Sequence, residues 1–253
     1  MEKLVKANIV RLFKNKFLYV CFIIAVCTTF IVTKGDMEII KLHSLTQSNC
    51  MMVVSGAIFG FLSIFVPIFE GVEYRNGVIR NKIIMGYSQK EVYFAHLIVN
   101  AVTILAIELL WFIAGVASGA KPGAELLVGA LSLFFSCMAY AALVTFVLMR
   151  SRNTVVTIII SSILFYVSLM ACLMTNFIAT HVTGGLKSVS VLLENVNPVG
   201  QWFTHTIMCN DYYAGAGNEL ISYGIVPQLV LAVLVIALFT VLGTFKIENR
   251  NLK

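Results

Sequence analysis

EGVEYRNGVIRNKIIMGYSQKE, residues 70–91, is the one long charged stretch with helical spacing between two long apolar runs. Written as a helix, it sets Val72, Ile79 and Ile83 on one face with Val78 beside them, while Glu73, Arg75, Arg80 and Lys82 fan out elsewhere. Such a segment predicts a docking helix read by something soluble, more than a connecting loop. Gly77 marks a break within it, because an interior glycine costs about 1 kcal/mol relative to alanine. Gly86 is placed to end the helix as a C-cap. Ser88 and Glu91 then form an S-x-x-E capping box that opens the next helix, with Tyr87 and Val92 as its hydrophobic staple.

Outward from this stretch the chain is apolar. Of 253 residues, 59% are hydrophobic and 12% charged, far from the roughly 25% charged residues of soluble domains. Six runs are expected to cross a bilayer: 17–33, 50–69, 92–117, 125–149, 154–180 and 223–245. Each approaches the length of about 20 residues that a hydrocarbon layer of about 30 Å requires, the first only just. The fold class expected is an all-α membrane protein of one domain, with no internal repeat. The first run follows Lys3, Lys6, Arg11, Lys14 and Lys16, but no small-residue cleavage site follows it, so a retained helix is expected. Residues 1–16 carry Val5, Ile9, Leu12 and Phe13 on one side and lysines mostly on another. They read equally as an interfacial helix in the headgroup layer or as a basic flank to the first span.

The formal charge of +6 follows the membrane, with no patch for nucleic acid. Fourteen of the eighteen Lys and Arg fall at the two termini, in 70–91 and at Arg150 and Arg152; Lys34, Lys41, Lys121 and Lys187 fall on the other side. Positive-inside bias therefore places both termini and the 70–91 helix in the cytoplasm. The one long outer segment is 181–222. Within it the 186–193 stretch is moderately apolar, Asn197-Pro198 reads as an N-cap followed by proline at the first helical position, and 199–208 completes a short helix. Trp202 and Phe203 suit an interfacial depth, and one or two short re-entrant helices are expected here, with 210–217 as a loop.

The sequence holds no G-x-x-x-x-G-K-[ST] phosphate loop, no H-E-x-x-H and no G-x-S-x-G. His43, His96, His181 and His205 are too scattered to predict a metal cage, so no catalytic, cofactor or metal site is expected in this chain. The cysteines lack C-x-x-C spacing and read as packing residues, with a Cys50–Cys209 bridge left open. Glu108 is the acidic residue deep within an expected span. It must be protonated, paired or facing a wet cavity, and is read either as a proton or substrate contact or as a hydrogen-bonded bundle residue. Gly56-x-x-x-Gly60 and Gly115-x-x-x-Gly119 permit close helix approach, within one subunit or at a dimer seam. Pro67 is placed to kink the second span just before the docking segment.

The run Glu73-Tyr74-Arg75-Asn76-Gly77-Val78-Ile79-Arg80-Asn81-Lys82, continuing through Gly86-Tyr87-Ser88, resembles the element between the second and third spans of ABC-2 type transporter permeases. Six spans, cytoplasmic ends, the N-terminal helix and an Asn-Pro pair ahead of the last span agree with that family. The resemblance covers the whole chain in architecture and this one motif in sequence. It implies a coupling helix seated in a groove of a separate ABC ATP-binding subunit, which would carry the ATP and Mg. It also implies a second permease copy, identical or sister, associating through the first and fifth spans. Carried over, Glu73, Tyr74, Arg75, Gly77, Val78, Ile79 and Lys82 are the ATPase contacts, with Ile83 on the same helix and Glu70 at the acidic edge of the interface. The cargo implied is an amphipathic or antimicrobial peptide leaving a bacterial cell or its plasma membrane, of bacteriocin or phenol-soluble-modulin type. Multidrug, lipid-like or sodium export is the alternative. A membrane sensor or assembly subunit without a transport path would use the same docking helix.

Overall fold

In the computed structural model the described residues are 1–34, 47–203 and 225–245, and among them there is no strand. The helices are α1 (Glu2–Phe13), α2 (Lys16–Lys34), α3 (Gln47–Ser55), α4 (Ala57–Arg75), α5 (Val78–Ile84), α6 (Gln89–Ala117), α7 (Ala124–Ser151), α8 (Thr154–His181), α9 (Gly185–Val196), α10 (Pro198–Phe203) and α11 (Ile225–Thr244). Among the described residues six helical stretches are long and apolar enough to cross a membrane: Lys16–Lys34, Cys50–Arg75, Gln89–Ala117, Leu126–Ser151, Thr154–Ala179 and Ile225–Thr244. The chain is an all-helical, multi-pass membrane protein.

The spans divide into an inner and an outer set. In α3–α4 and α7, 61% of the most apolar stretch is buried, against 17% in each of α2, α8 and α11. α7 is the hub, packed by α4, α6, α8, α10 and α11, while α2 leans on α6 and on α3–α4. Since lipid is as apolar as leucine, packing contacts and hydrogen bonds, not expulsion from water, hold such helices together. The aromatic centre shows this. Phe59 meets the Tyr140 ring edge-on at 5.6 Å and the Trp202 ring at 6.0 Å. Tyr140 Oη donates to the Ser161 carbonyl at 2.7 Å, tying α7 to α8.

Two glycine pairs resolve into packing within the chain and one open position. A side chain at Gly56 would stand 2.4 Å from the Trp202 ring, so only glycine admits the indole, whose Nε1 donates to Ser55 Oγ at 2.7 Å. A Cβ at Gly115 would overlap Met51. A Cβ at Gly60 would meet nothing within 4 Å. Pro67 lies inside α4 and removes the amide that would bond the Ser63 carbonyl. Ser161 Oγ of α8 donates to that carbonyl at 2.6 Å instead.

Several boundaries and faces differ from expectation. The second span does not end at residue 69 but continues to Arg75, so Glu70 and Glu73 belong to the membrane-spanning helix. In α1, Leu4, Asn8 and Leu12 are buried, Val5 and Ile9 are half-buried and Phe13 is exposed, because the helix seats on α6. Trp202 and Phe203 are core residues at 6% and 5% exposure, with the indole seated in a slot that Gly56 opens. Asn197 separates α9 from α10, accepting from the Val199 amide at 3.2 Å and donating to the Ser168 carbonyl at 2.9 Å, as the Asn-Pro pair predicts. α9 turns its polar side inward: Ser190, Glu194 and Asn195 are buried while Leu186, Val189 and Leu193 are exposed. The expected loop at 210–217, the rest of the 199–208 helix and the Cys209 partner of a bridge lie outside the described residues.

Both described ends of the chain gather near the start of α6. The N-terminal ammonium lies 3.8 Å from Glu91 Oε1. Tyr93 Oη donates to the Phe239 carbonyl of α11 at 3.2 Å. α1, α5 and the end of α11 therefore share one end of the bundle.

Candidate partner-docking site

The segment between α4 and α6 is a closed sequence of caps. α4 stops at Asn76, Gly77 adopts φ +67°, and α5 starts at Val78. A left-handed residue reverses the helix path, and glycine takes that conformation without a Cβ clash. At the other end the Gly86 amide bonds the Ile83 carbonyl at 2.9 Å and the Tyr87 amide bonds the Lys82 carbonyl at 3.1 Å, with Gly86 at φ +93°. That pair of bonds is a Schellman stop. Ser88 and Glu91 then form the full capping box of α6: the Glu91 amide donates to Ser88 Oγ at 3.2 Å and the Ser88 amide to Glu91 Oε2 at 2.8 Å. Tyr87 and Val92 join one apolar cluster with Leu4, Ile79 and Tyr93.

Beneath α5 sits a buried ionic knot. Glu73, 1% exposed, pairs with Arg11 of α1, with Lys82 of α5 and with His96 of α6. Lys82 Nζ donates to both Glu73 carboxylate oxygens, at 2.6 and 2.7 Å, and to Asn8 Oδ1 at 3.1 Å. His96 Nε2 stands 3.2 Å from Glu73 Oε2. The Arg11 guanidinium also lies 4.1 Å over the Phe69 ring and donates to the Phe69 carbonyl at 3.1 Å. Burial lowers the Lys82 pKa from the ordinary lysine value, and the Glu73 carboxylate pulls it back up. One helical turn deeper, Glu70 is fully buried and accepts at Oε1 from Asn100 Nδ2 at 2.8 Å and from Thr145 Oγ1 at 3.1 Å. Tyr74 is half-buried with its hydroxyl against Met149 Sδ.

Of the nine residues expected at a partner surface, Glu70, Glu73, Ile79 and Lys82 are buried and face their own chain. Tyr74, Gly77, Val78 and Ile83 are half-buried, and Arg75 is exposed. The continuous helix written from the sequence put Lys82 outward. The break at Gly77 re-aims α5 and folds Lys82 back onto Glu73. The outward face is instead Arg75, Asn76, Arg80, Asn81, Ile84 and Met85, the last two 73% and 68% exposed. Arg11, Asn8, His96, Asn100 and Thr145 were not read as members of this site. His96 and Asn100, polar residues four apart within a largely apolar span, are the available signal.

Glu108 lies apart from this site, midway along α6, 8% exposed, with its buried Oε1 lacking a partner among the described residues. No group of three or more His, Cys, Asp or Glu able to hold a metal occurs among the described residues. What the arrangement does physically is to hold a short helix rigidly on three others by charge while leaving its basic and apolar outer face clear. No family model matches the chain, and a search of curated proteins found no match.

Proposed function

We propose that the chain is a permease subunit of ABC-2 type, the membrane-spanning half of an ATP-driven exporter in a bacterial plasma membrane, with α5 as its coupling helix. The observation that carries this reading is the exposed tip of α5. Ile84 and Met85 stand free outside the spanning helices, flanked by Arg75 and Arg80, on a helix that Glu73, Lys82 and Arg11 hold in place from behind. An apolar tip with a basic rim, fixed in orientation, suits a partner offering an apolar pocket with an acidic edge. A chain without a phosphate loop draws its energy from such a partner, which would bring ATP and Mg. Both termini and α5 lie in the cytoplasm in this reading, as the distribution of Lys and Arg favours. A second permease copy completes the assembly, and the cargo is an amphipathic peptide.

The buried residues of the motif take a positioning role. Glu73 and Lys82 aim α5, Ile79 anchors it in the apolar cluster, and Arg75, Arg80, Ile84 and Met85 meet the partner. The test is affinity purification from the native membrane with mass and identity of the retained chains, for the wild type and for Ile84→Asp/Met85→Asp. A retained ATPase that the variant loses, with unchanged melting of the permease, is expected. A wild-type chain that comes alone, or a variant that keeps its ATPase, overturns the reading in favour of a sensor or assembly subunit. Movement of a labelled amphipathic peptide into vesicles holding the assembled complex tests the cargo.

A further inference from the structure

A groove of about 530 Å³ runs between α2, α3–α4 and α6. From Phe17 to Thr29 the α2 wall rises by twelve helical steps, about 18 Å of helix, which exceeds half of the ~30 Å hydrocarbon layer. The walls are apolar in effect. Both hydroxyls of Thr28 and Thr29 are turned onto their own helix carbonyls, Thr28 Oγ1 to Ile24 at 2.8 Å and Thr29 Oγ1 to Ala25 at 2.7 Å. The groove opens outward, since Ile24, Ile64 and Phe17 in its walls are 56%, 42% and 38% exposed. Its lining includes Gly60, where an added Cβ would meet nothing within 4 Å. Nothing polar on these walls would orient a peptide backbone or a charged drug.

The end of the groove at Phe17 adjoins a basic surface. Lys14 and Lys16 are exposed beside it, and Lys3 and Lys6 are exposed along α1. Apolar walls at hydrocarbon depth and lysines at one mouth complement a single molecule that has a hydrocarbon chain and an anionic head. We propose that the groove binds one acyl chain of an anionic glycerophospholipid whose phosphate is held by Lys14 and Lys16. The lipid belongs to the leaflet on the α1 and α5 side, and it braces α2, the least supported of the helices around the groove, against α4. This site is independent of the docking reading for α5.

The test uses the full-length protein in detergent with phosphatidylglycerol and phosphatidylcholine as probes, read by native mass spectrometry. The wild type is expected to retain phosphatidylglycerol in preference to phosphatidylcholine. Gly60→Leu, whose Cβ would meet nothing within 4 Å and whose side chain occupies the groove, is expected to abolish retention of both while Lys14 and Lys16 remain. Lys14→Gln and Lys16→Gln are each expected to weaken the phosphatidylglycerol preference roughly five-fold, the effect of about 1 kcal/mol per basic residue near a lipid surface. Equal retention of both lipids by the wild type, or unchanged retention in Gly60→Leu, overturns the proposal. So does displacement of the lipid by an amphipathic helical peptide, which makes the groove a cargo path, or a crosslink between two copies through Ile24→Cys, which makes it a subunit seam. Should Gly60→Leu fail to fold, quenching of wild-type tryptophan fluorescence by chain-brominated phosphatidylglycerol reads the contact with Trp111. Stronger quenching than by brominated phosphatidylcholine supports the site, and equal quenching overturns it.

Discussion

The two ends of the bundle solve the same problem with different chemistry. At the α5 end, buried polar groups from α1, α4, α5 and α6 meet in a knot of charges around Glu73. At the other end, α7, α9, α10 and α11 meet through a chain of side-chain amides beside the buried Glu194. Ser136 Oγ donates to Gln201 Oε1 at 3.1 Å, Gln201 Nε2 to the Asn195 carbonyl at 2.7 Å, and Gln228 Nε2 to Asn195 Oδ1 at 2.9 Å. An amide carries its own donor and acceptor, so losing one member leaves one or two unpaired dipoles. The ionic knot has one anion, Glu73, serving the Arg11 guanidinium and the Lys82 ammonium, so losing that anion leaves the buried Lys82 beside a like charge without its counter-charge.

The largest effect is therefore expected at Glu73. Glu73→Gln strands Arg11 and Lys82 near one another without their counter-charge and should cost about 3–5 kcal/mol, read as a lowered midpoint in detergent unfolding. Adding Lys82→Met removes one stranded charge and should recover part of the loss. If Glu73→Gln melts with the wild type, the knot does not hold α5 and the contrast between the two ends disappears. Next in size is Gln201→Leu in the amide network. It leaves the Asn195 carbonyl and Ser136 Oγ without their Gln201 bonds, an expected cost of about 1–3 kcal/mol. A loss as large as that of Glu73→Gln would show that amides and charges are equivalent here.

The difference between these ends also explains what could be read from the sequence. Apolar runs, Gly77, Gly86, Ser88 with Glu91, and Asn197-Pro198 are local signals, and the spans, the break, the Schellman stop, the capping box and the α9–α10 junction follow them. The interior of the docking segment is not local. Glu70 and Glu73 look like aqueous loop residues until Arg11, 62 positions earlier, and Asn100, 30 positions later, are brought beside them. Trp202 carries no local sign of its burial, because its slot is made by Gly56, 146 positions away in the chain. The 186–193 stretch signals an apolar helix, but its outward-facing leucines are decided by Glu194 and Asn195 turning into the bundle. In each case the sequence shows a residue's chemistry and the fold decides which way it points.

The smallest expected effect joins the two ends. α4 runs from the Trp202 slot to the ionic knot, and Pro67 interrupts its ladder between them. Ser161 Oγ donates to the Ser63 carbonyl, which Pro67 leaves without its ordinary amide, and it also reaches its own helix at the Thr157 carbonyl, 2.7 Å away. Ser161→Ala should cost about 1 kcal/mol in the wild type, the usual net worth of one such bond. In a Pro67→Ala background the residue 67 amide is restored and bonds Ser63 itself, so the same substitution should cost measurably less. A double-mutant cycle on unfolding free energies reads the coupling directly. Identical costs in the two backgrounds would mean that the proline is tolerated without help from α8. A clear coupling would make Ser161 the strut that keeps α4 continuous, so that a displacement at the Glu73 knot is carried along one rigid helix toward Trp202 and is not absorbed at the proline.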